Sequence, residues 1–310
     1  MKLIDFHCDT LWAMERNVPL CVDVEKLREA DSLAQFFACF IYMEEYQGED
    51  RYTKGYQYAL EMLQKGKDFF ASNTDVISLT HDHGELCSNY KNNKISAFLT
   101  IEEGGILEGD MQRLERLYTE GVRLITLLWN YENCIGYPNS KDRNIMESGL
   151  KSFGIDVVER MNELGMMIDV SHMSDGGFWD VLKHSKRPVV ASHSNSRELC
   201  YHPRNLSDEM IRALAKQGGV IGVNTYPYFV HESGKSSMEL LANHIEHIYQ
   251  VGGEDVLGIG TDFDGYDQGE SDFTHMGQMN QFYEVVKKRG FTARQMEKIW
   301  FKNILRVIKI

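Results

Sequence analysis

His7 and Asp9 stand two residues apart in Ile4-Asp5-Phe6-His7-Cys8-Asp9-Thr10. On a strand, residues i and i+2 project from one face, so an imidazole and a carboxylate would enter one site side by side. Both are ligand types for a divalent metal, and both suit Zn²⁺. Such a pair is common by chance in a chain with 11 His and 46 acidic residues, so it needs partners. Four further stretches offer them: Ile101-Glu102-Glu103-Gly104-Gly105, Asp169-Val170-Ser171-His172, Ala191-Ser192-His193 and Thr261-Asp262-Phe263-Asp264-Gly265. Each closes a short apolar run. Three histidines and several carboxylates at strand ends are the inventory of a two-metal hydrolase, where ions about 3.5–4 Å apart share a bridging carboxylate and activate a water.

Such convergence demands parallel strands that end at one mouth. Eight strand-like runs are readable: Leu3–Asp9, Ala34–Met43, Ile95–Glu102, Arg123–Trp129, Met166–His172, Pro188–His193, Gly219–Tyr226 and Val256–Phe263. Val-Ile-Gly-Val and Val-Leu-Gly-Ile-Gly are apolar on both faces, as buried parallel strands must be. Between them the spacing predicts helices over Tyr52–Ala71, Asp110–Glu120, Gly149–Leu164, Asp208–Lys216, Met238–Val251 and Thr292–Val307. Ser207 caps the Asp208 helix, and Gly165, Gly218 and Gly252 stand where helices stop. Eight β/α units predict an α/β protein with one domain over residues 1–310, a (β/α)₈ TIM-type barrel whose metal site lies at the C-terminal strand ends. An open doubly wound sheet would show a glycine-rich phosphate loop after its first strand, and this sequence has none there.

Bulk properties narrow the function classes. A net charge of −13 disfavours nucleic acid and anionic membrane surfaces as partners. Neither a long apolar run nor a signal-like start is present, and the first ligand strand begins at Leu3, so the expectation is a cytoplasmic protein. Cys8, Cys21, Cys39, Cys87, Cys134 and Cys200 form no C-x-x-C and read as free thiols.

Taken in order, the H-x-D start, Ile101-Glu102-x-Gly, Asp169-Val170-Ser171-His172-Met173-Ser174, Ser192-His193-Ser194, Arg204-Asn205 and Gly258-Ile259-Gly260-Thr261-Asp262-Phe263-Asp264-Gly265 resemble the membrane (renal) dipeptidase family of zinc peptidases, including its soluble bacterial members. The resemblance covers essentially the whole chain. It implies two Zn²⁺ ions hydrolysing dipeptides, some with a D-residue at the C-terminal position, and a homodimer. It places His7 and Asp9 on the first ion, His172 and His193 on the second, and one glutamate between them. Glu102 is favoured as that bridge by its spacing to Gly121, whereas aligning Gly104-Gly105 on the family's E-G-G favours Glu103. Arg204 would hold the substrate carboxylate, and Asp262 would orient or deprotonate the attacking water and pass the proton to the leaving amine.

The chain departs from the family after the fourth strand, where Trp129 stands at the place of a substrate-binding histidine. An indole N–H donates one hydrogen bond but cannot become cationic. Neighbouring Asn130 could donate as well, and Tyr226 could line the side-chain pocket. Two other readings stay open: another binuclear amidohydrolase (deaminase, lactonase or phosphotriesterase-like), or a barrel-fold binder with reduced turnover. Outside the pattern, His81-Asp82-His83 reads as a helix cap and turn. His244 and His247 read as surface or interface, and His202 as a pocket border. The long stretch Tyr131–Ser148 reads as a pocket wall.

Overall fold

Among the described residues, nine parallel strands carry the fold: β1 Leu3–Cys8, β2 Ser32–Phe40, β3 Ile77–Leu79, β4 Ile95–Glu102, β5 Val122–Thr126, β6 Met167–Asp169, β7 Val190–Ala191, β8 Val220–Val223 and β9 Leu257–Ile259. The computed structural model describes residues 1–267, 269 and 271–309. Eight of the strands close a ring in the order β1-β2-β4-β5-β6-β7-β8-β9, with β9 returning to β1. β3 lies outside the ring count. It pairs with Ile95–Ala97 at the start of β4, while β5 pairs with Leu99–Glu102 at its end. Three residues are too few for a readable period, which is why the sequence shows no sign of β3.

The lumen identifies itself by its packing. Phe6, Phe36, Phe98, Leu124, Val190 and Val220 come from six different strands and form one buried cluster. Only the inside of a closed ring brings non-neighbouring strands together. Phe36 meets Phe6 at 4.8 Å and stacks on Phe98 at 4.7 Å, and Ile304 of the last helix joins the cluster. The larger apolar cluster lies between the strands and the helices around them. Because the strands are buried on both faces, the barrel is a filled core with chemistry at one end only.

Helices fall where the spacing predicts, with shifted ends: Arg51–Ser72, Met111–Thr119, Ser152–Leu164, Asp208–Lys216 and Met238–Gly252. The predicted Thr292–Val307 helix is broken into Ala293–Glu297, a π-helical turn over Lys298–Lys302, and Asn303–Ile308. Asp82 caps the helix His83–Lys91, accepting from the Glu85 N–H at 2.9 Å, so His81-Asp82-His83 is a cap and turn. His244 corrects the expectation of a surface or interface residue. It is 1% exposed, accepts from the Ser196 N–H at 3.2 Å and bonds the Val230 carbonyl at 2.9 Å. Residues at i and i+3 on a helix share a side only approximately. His244 turns inward, while His247 reaches Asp208 at 2.7 Å near the surface.

Candidate active site

The strands stop sooner than their apolar runs suggest, and this exposes the site residues. β6, β7 and β9 were expected to reach His172, His193 and Phe263, yet they end at Asp169, Ala191 and Ile259. Side chains take over the ladder donors. Asp169 accepts the backbone N–H groups of Ser171 and Ser192, both at 2.9 Å. Asp5 accepts the N–H of Thr261 at 2.8 Å. Beyond those points the chain turns on residues with left-handed backbones: His172 at φ 67° and Asp262 at φ 62°. Non-glycine residues rarely adopt this region, and such strain concentrates at functional sites.

β1 reaches the same place differently. It holds one residue more than β2 between Asp5, opposite Gln35, and Cys8, opposite Phe37. A bulge of this kind re-aims side chains. Phe6 packs in the lumen floor while its neighbour His7 reaches the mouth. Asp9 lies past the strand, at the start of the helix Thr10–Glu15. A Cβ on Gly265 would stand 2.3 Å from Asp9 Oδ2, so a side chain there would force that buried carboxylate aside.

These ends converge. Glu102 Oε2 lies 3.3 Å from His7 Nε2, and Glu102 Oε1 lies 3.1 Å from His172 Nε2 and 3.4 Å from His193 Nε2. Asp9 Oδ2 and Asp262 Oδ1 stand 3.5 and 3.7 Å from His7 Nε2. Glu103 turns away on a left-handed backbone (φ 104°) and accepts from the N–H of Gly105, the N–H of Trp129 and the Asn133 amide. The sequence reading favours Glu102 with Glu103 as the alternative, and of the two only Glu102 faces the cluster. Asp264 also leaves it, accepting from Thr10 and the backbone of Val22.

Ser192, held by Asp169, and Asn130 set the histidine protons; the first two have no assigned role in the sequence reading. The Ser192 hydroxyl donates to Asp169 at 2.5 Å, so its oxygen accepts from His193 Nδ1 at 2.7 Å. His172 Nδ1 lies 3.0 Å from Asn130 Oδ1. Those acceptors assign the imidazole proton to Nδ1 in both residues and leave both Nε2 lone pairs facing each other across 3.1 Å. Asn130 is expected to donate to substrate; its carbonyl oxygen faces His172, and its amide nitrogen remains a donor on a residue that lines the cavity. Asp169 and Ser192 both sit inside the quoted motifs, which is the signal that could have found them.

The fit to a cation follows from the donors. Opposed lone pairs repel unless something electron-poor lies between them. Both ring nitrogens of His7 and Asp9 Oδ1 are buried with no hydrogen-bond partner. Burial pushes Asp9 up to about 8, with the Glu102 charge adding to the rise and His7 opposing it. A carboxylate so raised lacks counter-charge. Burial, aided by Arg204, holds His172 down at about 4; His193 is also held well below the usual range by burial, His7 and Arg204. Both are therefore neutral ligands at pH 7. His7, Glu102 and His193 form one group with metal-ligand proximity, and His7, Asp9 and Asp262 form another.

Around the cluster opens a cavity of about 960 Å³ lined by Phe40, Trp129, Arg204, Tyr226 and Asp262 among others. Asn139, Ser140 and Lys141 of the long loop wall one side, and His202 borders it. Arg204 is 3% exposed; its guanidinium donates to Ser194 Oγ and the His193 carbonyl, both at 2.8 Å, while its Nε has no partner. The loop bearing it is tied down by Arg197, which forks onto Asp175 at 2.7 and 2.8 Å. Asp262 Oδ2 accepts from the Asn224 amide at 2.8 Å, leaving Oδ1 toward the cluster. Burial and the Glu102 charge push Asp262 up to about 6 against the pull of His7 and Arg204.

Residues 1–310 match the family model described as membrane dipeptidase (peptidase family M19). An uncharacterized dipeptidase of Schizosaccharomyces pombe is 31% identical over 304 residues, spanning 95% of this chain and 73% of that protein. An uncharacterized Klebsiella pneumoniae protein from the region 5′ of pqqA is 34% identical over 219 residues, 67% of this chain and 79% of that one. A metallopeptidase of Rhodobacter sphaeroides, solved with a phosphinate mimic of L-Ala-D-Ala, superimposes with a TM-score of 0.88 at 21% identity. That match covers 100% of this chain and 99% of the other.

Proposed function

The chain belongs to the membrane dipeptidase family and is by that membership a metallo-dipeptidase, and on this premise we propose a binuclear zinc site that cleaves dipeptides, including those with a C-terminal D-residue. The observation that carries the reading is Glu102, with one oxygen toward His7 and the other toward His172 and His193. His7 and Asp9 would hold one ion, His172 and His193 the other, and Glu102 both. Bound there, a pair of divalent ions supplies Lewis acidity and brings the pKa of water toward neutrality.

The rest falls to protein groups. Ser192 and Asn130 hold the Nε2 lone pairs on the cluster. Asp262 Oδ1 takes the proton of the attacking water and returns it to the leaving amine, a task suited to a carboxylate raised toward neutrality. Arg204 keeps donor capacity beyond its two anchoring bonds and reads the free C-terminal carboxylate. That anchor sets the scissile bond one residue from the free C-terminus. The test compares L-Ala-L-Ala, L-Ala-D-Ala and their C-terminal amides with the zinc-loaded protein. Cleavage of both free acids with loss of cleavage on the amides supports the proposal. Equal cleavage of the amides removes the carboxylate anchor, and no cleavage of any removes the dipeptidase reading.

A further inference from the structure

The mouth of the barrel has two chemically different sides. Around the ring, β2 and β7 lie opposite each other, four steps apart in either direction. The segment after β7 carries Arg204, bonded to Ser194 and to the His193 carbonyl. β2 ends in Phe40, whose ring meets Trp129 at 4.9 Å. Both rings line the cavity. The wall is backed by Tyr42, edge-on to Trp129 at 5.6 Å, and by Tyr131 at 5.2 Å. Two of its polar atoms are already used: the Tyr42 hydroxyl donates to Glu44 at 2.7 Å and Asn130 Oδ1 lies against His172. The Trp129 backbone is fixed by its N–H to Glu103 at 3.1 Å. Between this wall and Arg204 stands the Glu102 cluster, where the scissile bond must lie.

Taking the dipeptidase reading and its Arg204 anchor as given, the orientation follows. A dipeptide with its carboxylate on Arg204 and its peptide bond over Glu102 directs its N-terminal residue toward Phe40 and Trp129. We infer that this aromatic wall selects the N-terminal side chain, so the enzyme prefers dipeptides beginning with an aromatic or branched apolar residue. Fixed ring faces gain from apolar and aromatic contact, and they offer a charged side chain no counter-charge in exchange for the water it gives up. One apolar contact of this kind discriminates about 10- to 200-fold in kcat/KM.

The experiment uses zinc-loaded protein and two dipeptide panels. In X-Ala, X is Phe, Leu, Ala, Gly, Asp or Lys; in Ala-X the same residues vary at the other end. The expected result is kcat/KM for Phe-Ala and Leu-Ala at least about tenfold above Gly-Ala and Asp-Ala. Trp129→Ala should shrink the Phe-Ala to Gly-Ala ratio by most of that factor, and Trp129→Leu should lower Phe-Ala relative to Leu-Ala. Should Trp129→Ala fail to fold, the wild-type panel and Trp129→Leu still decide. Dipeptides cleaved with a flat or charge-seeking preference at X-Ala overturn this inference and leave the dipeptidase reading standing. A preference that survives both Trp129 variants unchanged overturns the assignment to the wall. Failure to cleave either panel overturns the dipeptidase reading itself.

Discussion

At the residue scale Glu102 touches His7, His172 and His193 while Arg204 lines the cavity, and the proposed reading gives the first the ions and the second the substrate carboxylate. Arg204→Ala should lower kcat/KM for dipeptides about 10- to 100-fold, chiefly through KM, because a charge-assisted pair contributes about 1.5–3 kcal/mol. Arg204→Lys should recover little, since a point charge cannot reproduce the planar fork. Steady-state kinetics on L-Ala-L-Ala reads both; an unchanged KM would remove the anchor. Ser192→Ala should weaken ion binding about 10- to 100-fold by freeing the His193 tautomer, measured by competition with a chelating dye. Ion affinity equal to wild type would show that the Asp169–Ser192 bond to His193 is only structural. His7, Asp9, Glu102, His172 and His193 were legible because each lies in a short motif at the end of an apolar run. The work of Asn130 was not, since it depends on which side-chain atom meets His172. Composition says nothing of that.

At the scale of elements, the eight ring strands could be read from alternating apolar runs and glycine stops, whereas their ends could not. An apolar run continues past the point where Asp169 or Asp5 takes the ladder's N–H groups, because the residues beyond remain buried. Periodicity reports burial, and hydrogen bonding ends a strand. His244 joins two such elements, accepting from Ser196 on the Arg204 loop and bonding Val230. Burial pushes its imidazole down to about 4. A histidine depressed in the folded state contributes stability above its unfolded value of about 6.5, and loses it as pH falls toward about 4. Its share is about 3 kcal/mol. Urea titrations at pH 7.5, 5.5 and 4.5 should show falling stability, with a shallower fall in His244→Gln. Identical slopes in the two proteins would remove His244 as the acid-sensitive joint.

Over the whole molecule, the barrel brings the proposed ligands His7 and His193 into one cluster from distant parts of the sequence, so ion binding there would be linked to folding. Ions at about 100-fold their dissociation constant stabilise the fold by about 2.7 kcal/mol per site. Calorimetry should therefore show a higher Tm with Zn²⁺ and a lower one after chelation, the difference shrinking in His172→Ala. An equal Tm with and without Zn²⁺ would mean that no site couples to the fold. The most direct measurement of the central claim counts zinc per chain while following L-Ala-L-Ala hydrolysis through stepwise chelation and reloading. The account predicts two zinc ions per chain, hydrolysis lost as they are removed, and hydrolysis restored when two are returned. Full hydrolysis with no metal bound, or two bound ions with no dipeptide cleaved, would contradict it.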